Sequence, residues 1–228
     1  MIEFRGVSRF YDGFRALHDA SLRVGEGEIT VLVGPNGAGK STMLKIAAGI
    51  LEPSGGTVRL GGGGGRPPAR SHGEIGYLPE NAACYEELSA RENLRYFCAL
   101  RGLRGKKLET RVGELLDTVG LAGETKLVRD FSKGMRQRLG IAVSLAGKPG
   151  VVLWDEPSSG LDPSGRLLLR DIIAALKKEG ASILVSSHDL RESALLADRV
   201  CLVYKGEIRF QGKADGPELE KLYKEVVG

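Results

Sequence analysis

Gly34-Pro35-Asn36-Gly37-Ala38-Gly39-Lys40-Ser41-Thr42 follows directly on the apolar run Ile29-Thr30-Val31-Leu32-Val33, and this junction decides the fold. The eight residues Gly34 to Ser41 match the phosphate-binding pattern G-x-x-x-x-G-K-[ST]. Glycines in such a loop let backbone N–H groups turn inward around α- and β-phosphates. Lys40 can reach the β- and γ-phosphates, and the Ser41 hydroxyl can ligate Mg²⁺. A helix opening at Gly39 aims the positive end of its dipole at the same place. Residues from Ser41 to Ala48 carry the apolar spacing of that helix. Strand, glycine-rich turn and helix in this order imply an α/β fold built around a nucleoside triphosphate.

Outward from the loop, a chain of 228 residues with 42% hydrophobic content can bury a core as one large domain or two interlocked lobes. No run approaches the roughly 18 to 20 apolar residues that cross a bilayer, and the N-terminus lacks a basic-then-apolar signal region, so a cytosolic location is expected. Cys84, Cys98 and Cys201 are odd in number and far apart, which argues against a disulfide framework or a zinc site and for simple thiols. A formal charge of +4 is much weaker than the basic stripe of a nucleic-acid binder. The one local cluster, Arg101-Gly102-Leu103-Arg104-Gly105-Lys106-Lys107, reads as a solvated link between two helices in preference to a membrane or partner contact.

Strand patterns occur at Ile2 to Val7, Ala16 to Val24, Glu28 to Val33, Thr57 to Leu60 and Glu74 to Leu78. Others occur at Val151 to Trp154, Ser182 to Ser186, Val200 to Tyr204 and Glu207 to Gln211. Ser89-Ala90-Arg91-Glu92 has the spacing of a capping box and starts a helix over Asn93 to Leu100; Leu108 to Val119 continues with apolar residues three and four apart. These two helices interrupt an alternation of strand and helix. The pattern predicts a parallel-sheet core, a small antiparallel sheet near the N-terminus, and a helical insertion at about residues 82 to 145. Gly61 to Gly65, followed by Arg66-Pro67-Pro68, reads as a flexible surface loop.

Val151-Val152-Leu153-Trp154-Asp155-Glu156 is an apolar strand ending in two carboxylates. Beside a phosphate-binding loop, Asp155 can hold Mg²⁺ opposite Ser41, and Glu156 can orient or deprotonate the attacking water.

Joined to Pro157-Ser158-Ser159-Gly160-Leu161-Asp162-Pro163, these motifs resemble the ATPase subunit of ABC transporters, in that family's order and over essentially the whole chain. The resemblance implies an ABC cassette that binds ATP and Mg²⁺ through Gly34, Pro35, Asn36, Gly37, Ala38, Gly39, Lys40, Ser41 and Thr42. Tyr11, 23 positions before Gly34, stands where the family stacks an aromatic on adenine, with Phe10 as the alternative. Phe131-Ser132-Lys133-Gly134-Met135 resembles the signature loop, whose following helix (here Arg136 to Ala146) points at ATP held by another copy. Ser159-Gly160-Leu161-Asp162 resembles the loop through which subunits communicate, with Pro163 suited to the next helix's first turn. Ser187-His188-Asp189 is similar to the family's switch histidine, which contacts the γ-phosphate and makes His188 a second catalytic candidate beside Glu156.

Two departures stand out. Glu80, in Ile75-Gly76-Tyr77-Leu78-Pro79-Glu80, replaces the glutamine that in most of the family touches Mg²⁺ and relays ATP binding to the membrane partner. The signature carries Lys133 for glycine and Met135 for glutamine. Tyr77-Leu78-Pro79-Glu80-Asn81 together with Phe131 to Arg138 is similar to ATPases of ABC-2 type exporters, and particularly to the one serving copper-site maturation of nitrous-oxide reductase. No copper site is expected in the chain itself, because His18, His72, His188 and the cysteines form no cluster by spacing. The resemblance implies an ATP-state homodimer peripheral to the inner face of the cell membrane, driving a permease carried on a separate chain. Two other classes stay open: a soluble ABC ATPase acting on DNA or the ribosome, and a nucleotide-sensing subunit with little turnover.

Overall fold

A computed structural model describes residues 1–11, 13–61 and 75–228. The expected loop from Gly62 onward, His72 and Glu74 lie outside the described residues.

Strands β1 (Ile2–Tyr11), β2 (Phe14–Val24) and β4 (Gly55–Leu60) form an antiparallel sheet in the order β2-β1-β4. The first two run longer than their sequence patterns and meet in a hairpin pairing Tyr11 with Phe14. Strands β3 (Ile29–Val33), β5 (Ile75–Leu78), β6 (Val151–Trp154), β7 (Ser182–Ser187), β8 (Arg199–Tyr204) and β9 (Glu207–Gly212) form a second sheet in the order β5-β6-β7-β3-β8-β9. It is parallel except for β9.

The strand period of two sorts the second sheet's side chains into two cores. Val31, Val152, Trp154, Ile183, Val185 and Leu202 pack on the helical side. Leu32, Val151, Leu153, Leu184, Cys201 and Val203 pack with helix α1 (Lys40–Ala47) and the antiparallel sheet. Continuous apolar runs in β3 and β6 are therefore required, because both faces of the sheet are covered.

Between β5 and β6 come α2 (Ala90–Leu100), α3 (Gly105–Thr118) and α4 (Lys133–Ser144). The capping box forms as its spacing predicts: Ser89 Oγ accepts from Glu92 N, and Glu92 accepts from Ser89 N at 2.9 Å. Helix α4 corrects the expectation of a start at Arg136. It begins at Lys133, because Ser132 Oγ accepts from Met135 N at 3.2 Å and caps the first turn there. The chain closes with α5 (Pro163–Lys178), α6 (Leu190–Leu196) and α7 (Gly216–Val227).

Two contacts seat α4 against the sheet. Trp154 Nε1 donates to Ser144 Oγ at 2.9 Å. At Gly140 a Cβ would stand 2.4 Å from Ala82 Cβ and 2.8 Å from Leu78 Cδ1, so only glycine permits the approach.

Candidate functional site

The loop after β3 takes a path that glycine alone allows. A Cβ at Gly34 would lie 2.1 Å from the Val203 carbonyl oxygen, and one at Gly39 would lie 2.7 Å from Ala16 O with φ at 109°. Gly39 is also the N-cap of α1 and contributes no side-chain cap, so the N–H groups of that first turn are left for an outside acceptor.

Lys40 is 6% exposed. Its ammonium donates to Gly34 O at 2.7 Å and Pro35 O at 3.1 Å. Gly34 and Pro35 thus hold the lysine and do not line the cavity themselves. With three donors on an ammonium, one remains for a ligand. Burial pushes the Lys40 ammonium below its ordinary value, and the neighbouring carboxylates of Glu156, Asp155 and Glu80 act in the opposite direction.

At the end of β6, Ser186 joins the two acids. Its hydroxyl donates to Asp155 Oδ1 at 2.5 Å and accepts from Glu156 N at 2.9 Å. Glu156 has φ 48°, a left-handed conformation that costs a non-glycine residue about 1 to 2 kcal/mol. Three elements fix it: Ser186 on β7, His188 Nδ1 at 2.8 Å from its Oε2, and Gln137 on α4, whose Nε2 donates to Glu156 O at 3.3 Å and Pro157 O at 3.2 Å. The carboxylate is thereby aimed, and the imidazole of His188 is left 68% exposed at the mouth.

These groups meet in one open cavity of 720 Å³ lined by Asn36 to Thr42, Tyr11, Glu80, Asp155, Glu156 and His188. Tyr11 lines it with the Arg9 guanidinium 4.7 Å from its ring centre, whereas Phe10 does not line it. Phe14, Ala16, Ser159 and Tyr223 complete the walls; Ser159 comes from the stretch that resembles the subunit-communication loop, whereas no local pattern marked Phe14, Ala16 or Tyr223 as wall residues, because the hairpin and α7 bring them in.

Ser132, Lys133, Gly134, Met135 and Asp162 lie elsewhere on the chain's surface and do not line the cavity. They pack against their own neighbours: a Cβ on Gly134 would stand 2.9 Å from Gly160 O, and the Lys133 stem covers Gly160, whose φ is 74°. Asp162 caps α5 by accepting from Gly165 N at 2.8 Å.

The donor set fits Mg²⁺ with a polyphosphate. Glu80, Asp155 and Glu156 face the single ammonium of Lys40, so an anionic ligand enters with a divalent cation more readily than alone. Among the described residues no three Asp, Glu, His or Cys side chains converge closely enough to hold a metal by themselves. Mg²⁺ suits that arrangement, since it takes much of its shell from phosphate and water.

Residues 17–159 match the family model described as ABC transporter. A lantibiotic transport ATP-binding protein, SrtF of Streptococcus pyogenes, is 36% identical over 225 residues, covering 98% of this chain and 96% of that protein. A solved structure of the ATP-binding subunit of an ABC transporter superposes with a TM-score of 0.90 at 30% identity, with both chains covered fully. The dimeric post-hydrolysis state of the cassette MJ0796, bound to ADP and Pi, superposes with a TM-score of 0.84 at 24% identity over 93% of this chain and 98% of that one, a likeness of fold.

Proposed function

We propose, from the premise that this chain belongs to the ABC transporter family as an ATP-binding ATPase subunit, that two copies clamp two ATP molecules and drive a separate membrane permease. The observation that carries hydrolysis, against a sensing role, is the three-way fixation of Glu156 beside His188. A carboxylate whose backbone is held by a serine and a glutamine and whose oxygen is held by a histidine is oriented for one water. Asn36 to Thr42 and Lys40 bind the triphosphate, Tyr11 stacks on the base, and Ser41, Asp155 and Glu80 hold Mg²⁺. The bound ion supplies charge neutralisation at the β- and γ-oxygens. His188 holds the Glu156 carboxylate and presents its exposed face to the γ-phosphate.

One copy supplies only half of this site. Ser132, Lys133 and Gly134 sit at the N-terminus of α4 and outside the chain's own cavity, which supports a head-to-tail dimer in which they meet the partner's ATP. Residues 1–228 form one cassette, with a helical part at about 82–145 facing the permease. A groove of 420 Å³ lined by Ile50, Ile75, Tyr77, Phe97, Leu100 and Arg101 lies beside the strand leading to Glu80 and suits an apolar helix of that permease. No helix among the described residues is long and apolar enough to cross a membrane. The relative's name, a lantibiotic transport ATP-binding protein, supports a role in transport; export and a place on the inner face of the cell membrane complete the proposed reading. The narrower service, copper-site maturation of nitrous-oxide reductase, rests on the likeness of Tyr77 to Asn81 and Phe131 to Arg138 alone. Loss of nitrous-oxide reductase copper on deletion tests it.

The decisive experiment is light scattering of Glu156→Gln with and without Mg²⁺-ATP. A stable dimer holding two nucleotides is expected, and it should vanish when Ser132→Arg is added. Turnover near the wild-type rate in Glu156→Gln, or a monomer at saturating ATP, would overturn the assignment.

A further inference from the structure

The basic stretch from Arg101 to Lys107 is folded around a recess. Arg101, Lys106, Lys107, Arg111 and Lys148 line a volume of 670 Å³, close to that of the triphosphate cavity, and Glu114 is its one acidic residue. Glu114 lies 3.1 Å from Arg111 Nη1. Among the described residues, Lys106, Lys107 and Lys148 have no carboxylate within ion-pair distance. Like charges gathered in one concavity raise the local potential and attract an anion.

Three further observations narrow what that anion is. Arg111 spends Nη1 on Glu114 and Nη2 on Leu145 O at 2.7 Å, but its Nε is buried without a partner. The recess runs along α3 from Lys106 to Glu114, and this helix has Arg104 as an N-cap that makes no side-chain cap bond and no acid in its first turn. Of the seven α-helices among the described residues, five have a serine or aspartate cap there, and besides α3 only α1, the phosphate-loop helix, lacks one. Guanidinium and ammonium donors in a cavity of small-molecule size suit a tetrahedral oxyanion with an organic body, for which Leu103 and Ala146 supply apolar wall.

We propose that this recess binds the phosphate of an organic phosphate, supplied by an anionic phospholipid headgroup or by a soluble phosphate ester. The chemistry stands independently of the transport reading, and only the lipid source rests on it. Arg101 lines both the recess and the groove assigned to the permease, and it donates to Ile75 O at 3.4 Å on the strand that leads to Glu80. An occupant of the recess is therefore one side chain, Arg101, away from the strand that leads to Glu80.

The full chain, with its ATP cavity saturated by Mg²⁺-ADP, is titrated with glycerol 3-phosphate and with vesicles of phosphatidylcholine, with and without phosphatidylglycerol. Lys106→Gln, Lys107→Gln and Lys148→Gln are combined in one variant. A second variant with Lys213→Gln, Lys221→Gln and Lys224→Gln makes the same change of charge on another face. Both should keep wild-type basal ATPase activity, since none of the six lines the ATP cavity. The first should weaken binding of the phosphate probe about a hundredfold, and the second should leave it nearly unchanged. Binding of phosphatidylglycerol vesicles alone identifies the lipid source; binding of glycerol 3-phosphate through the same lysines identifies the soluble one. Equal losses in both variants, no binding of either probe, or binding only of poly-glutamate through these lysines would each overturn the proposal, the last in favour of an acidic protein segment.

Discussion

Ser186 shows how much of the site depends on a residue without chemistry of its own. Its hydroxyl is the shared partner of Asp155 Oδ1 and Glu156 N, so Ser186→Ala leaves a buried N–H unpaired and frees the Asp155 carboxylate to rotate. Such a loss costs about 1 to 3 kcal/mol. Because the phosphate loop is untouched, we expect kcat to fall about tenfold or more while the ATP dissociation constant moves less than about threefold, read by steady-state kinetics and isothermal titration. Lys40→Ala should do the reverse and remove ATP binding, because among the described residues no other lysine or arginine lines the cavity. Lys40, Asp155 and Glu156 were legible because their partners are adjacent in the chain or belong to known motifs. Ser186 and Gln137 were not, since they lie 31 residues from Asp155 and 19 from Glu156, and no local pattern records a contact across that distance.

At the scale of elements, Gly113 in α3 and Gly140 in α4 make opposite predictions. Gly140→Ala pushes a methyl into Ala82 and Leu78 and should lower thermal stability by about 1 to 3 kcal/mol while loosening α4 from β5. Gly113→Ala on α3 meets nothing within 4 Å and should raise stability by about 0.5 to 1 kcal/mol. Differential scanning calorimetry separates them; equal effects would show that α4 is not seated as described. The nine strands were readable from apolar runs, and α2 from its capping box. The start of α4 was not, because Lys133-Gly134-Met135 lacks helical apolar spacing and Gly134 has poor helix propensity; the Ser132 cap and the packing of Gly134 on Gly160 decide it. Helices α6 and α7 drew no reading, although Asp189 and Asp215 cap them in the same way as Ser132 caps α4.

For the whole molecule, Glu80 lines the ATP cavity two residues beyond the end of β5, the strand whose Ile75 and Tyr77 line the proposed permease groove. Glu80→Gln restores the residue type that the family resemblance implies there. It should change permease-stimulated ATPase activity in liposomes by at least about threefold while leaving the basal rate and ATP affinity within about twofold, and equal changes in both rates would reduce Glu80 to a surface acid. The proposed coupling requires α2, α3 and α4 to move against the sheet, and the molecule carries a reporter of that motion. Trp154 is the chain's single tryptophan, fully buried one residue before Asp155, with its indole N–H on Ser144 at the end of α4. Its fluorescence therefore belongs to one position on the joint between the two parts. A shift in emission on adding nucleotide, abolished by Lys40→Ala, would time the swing of the helical part in stopped flow without a label.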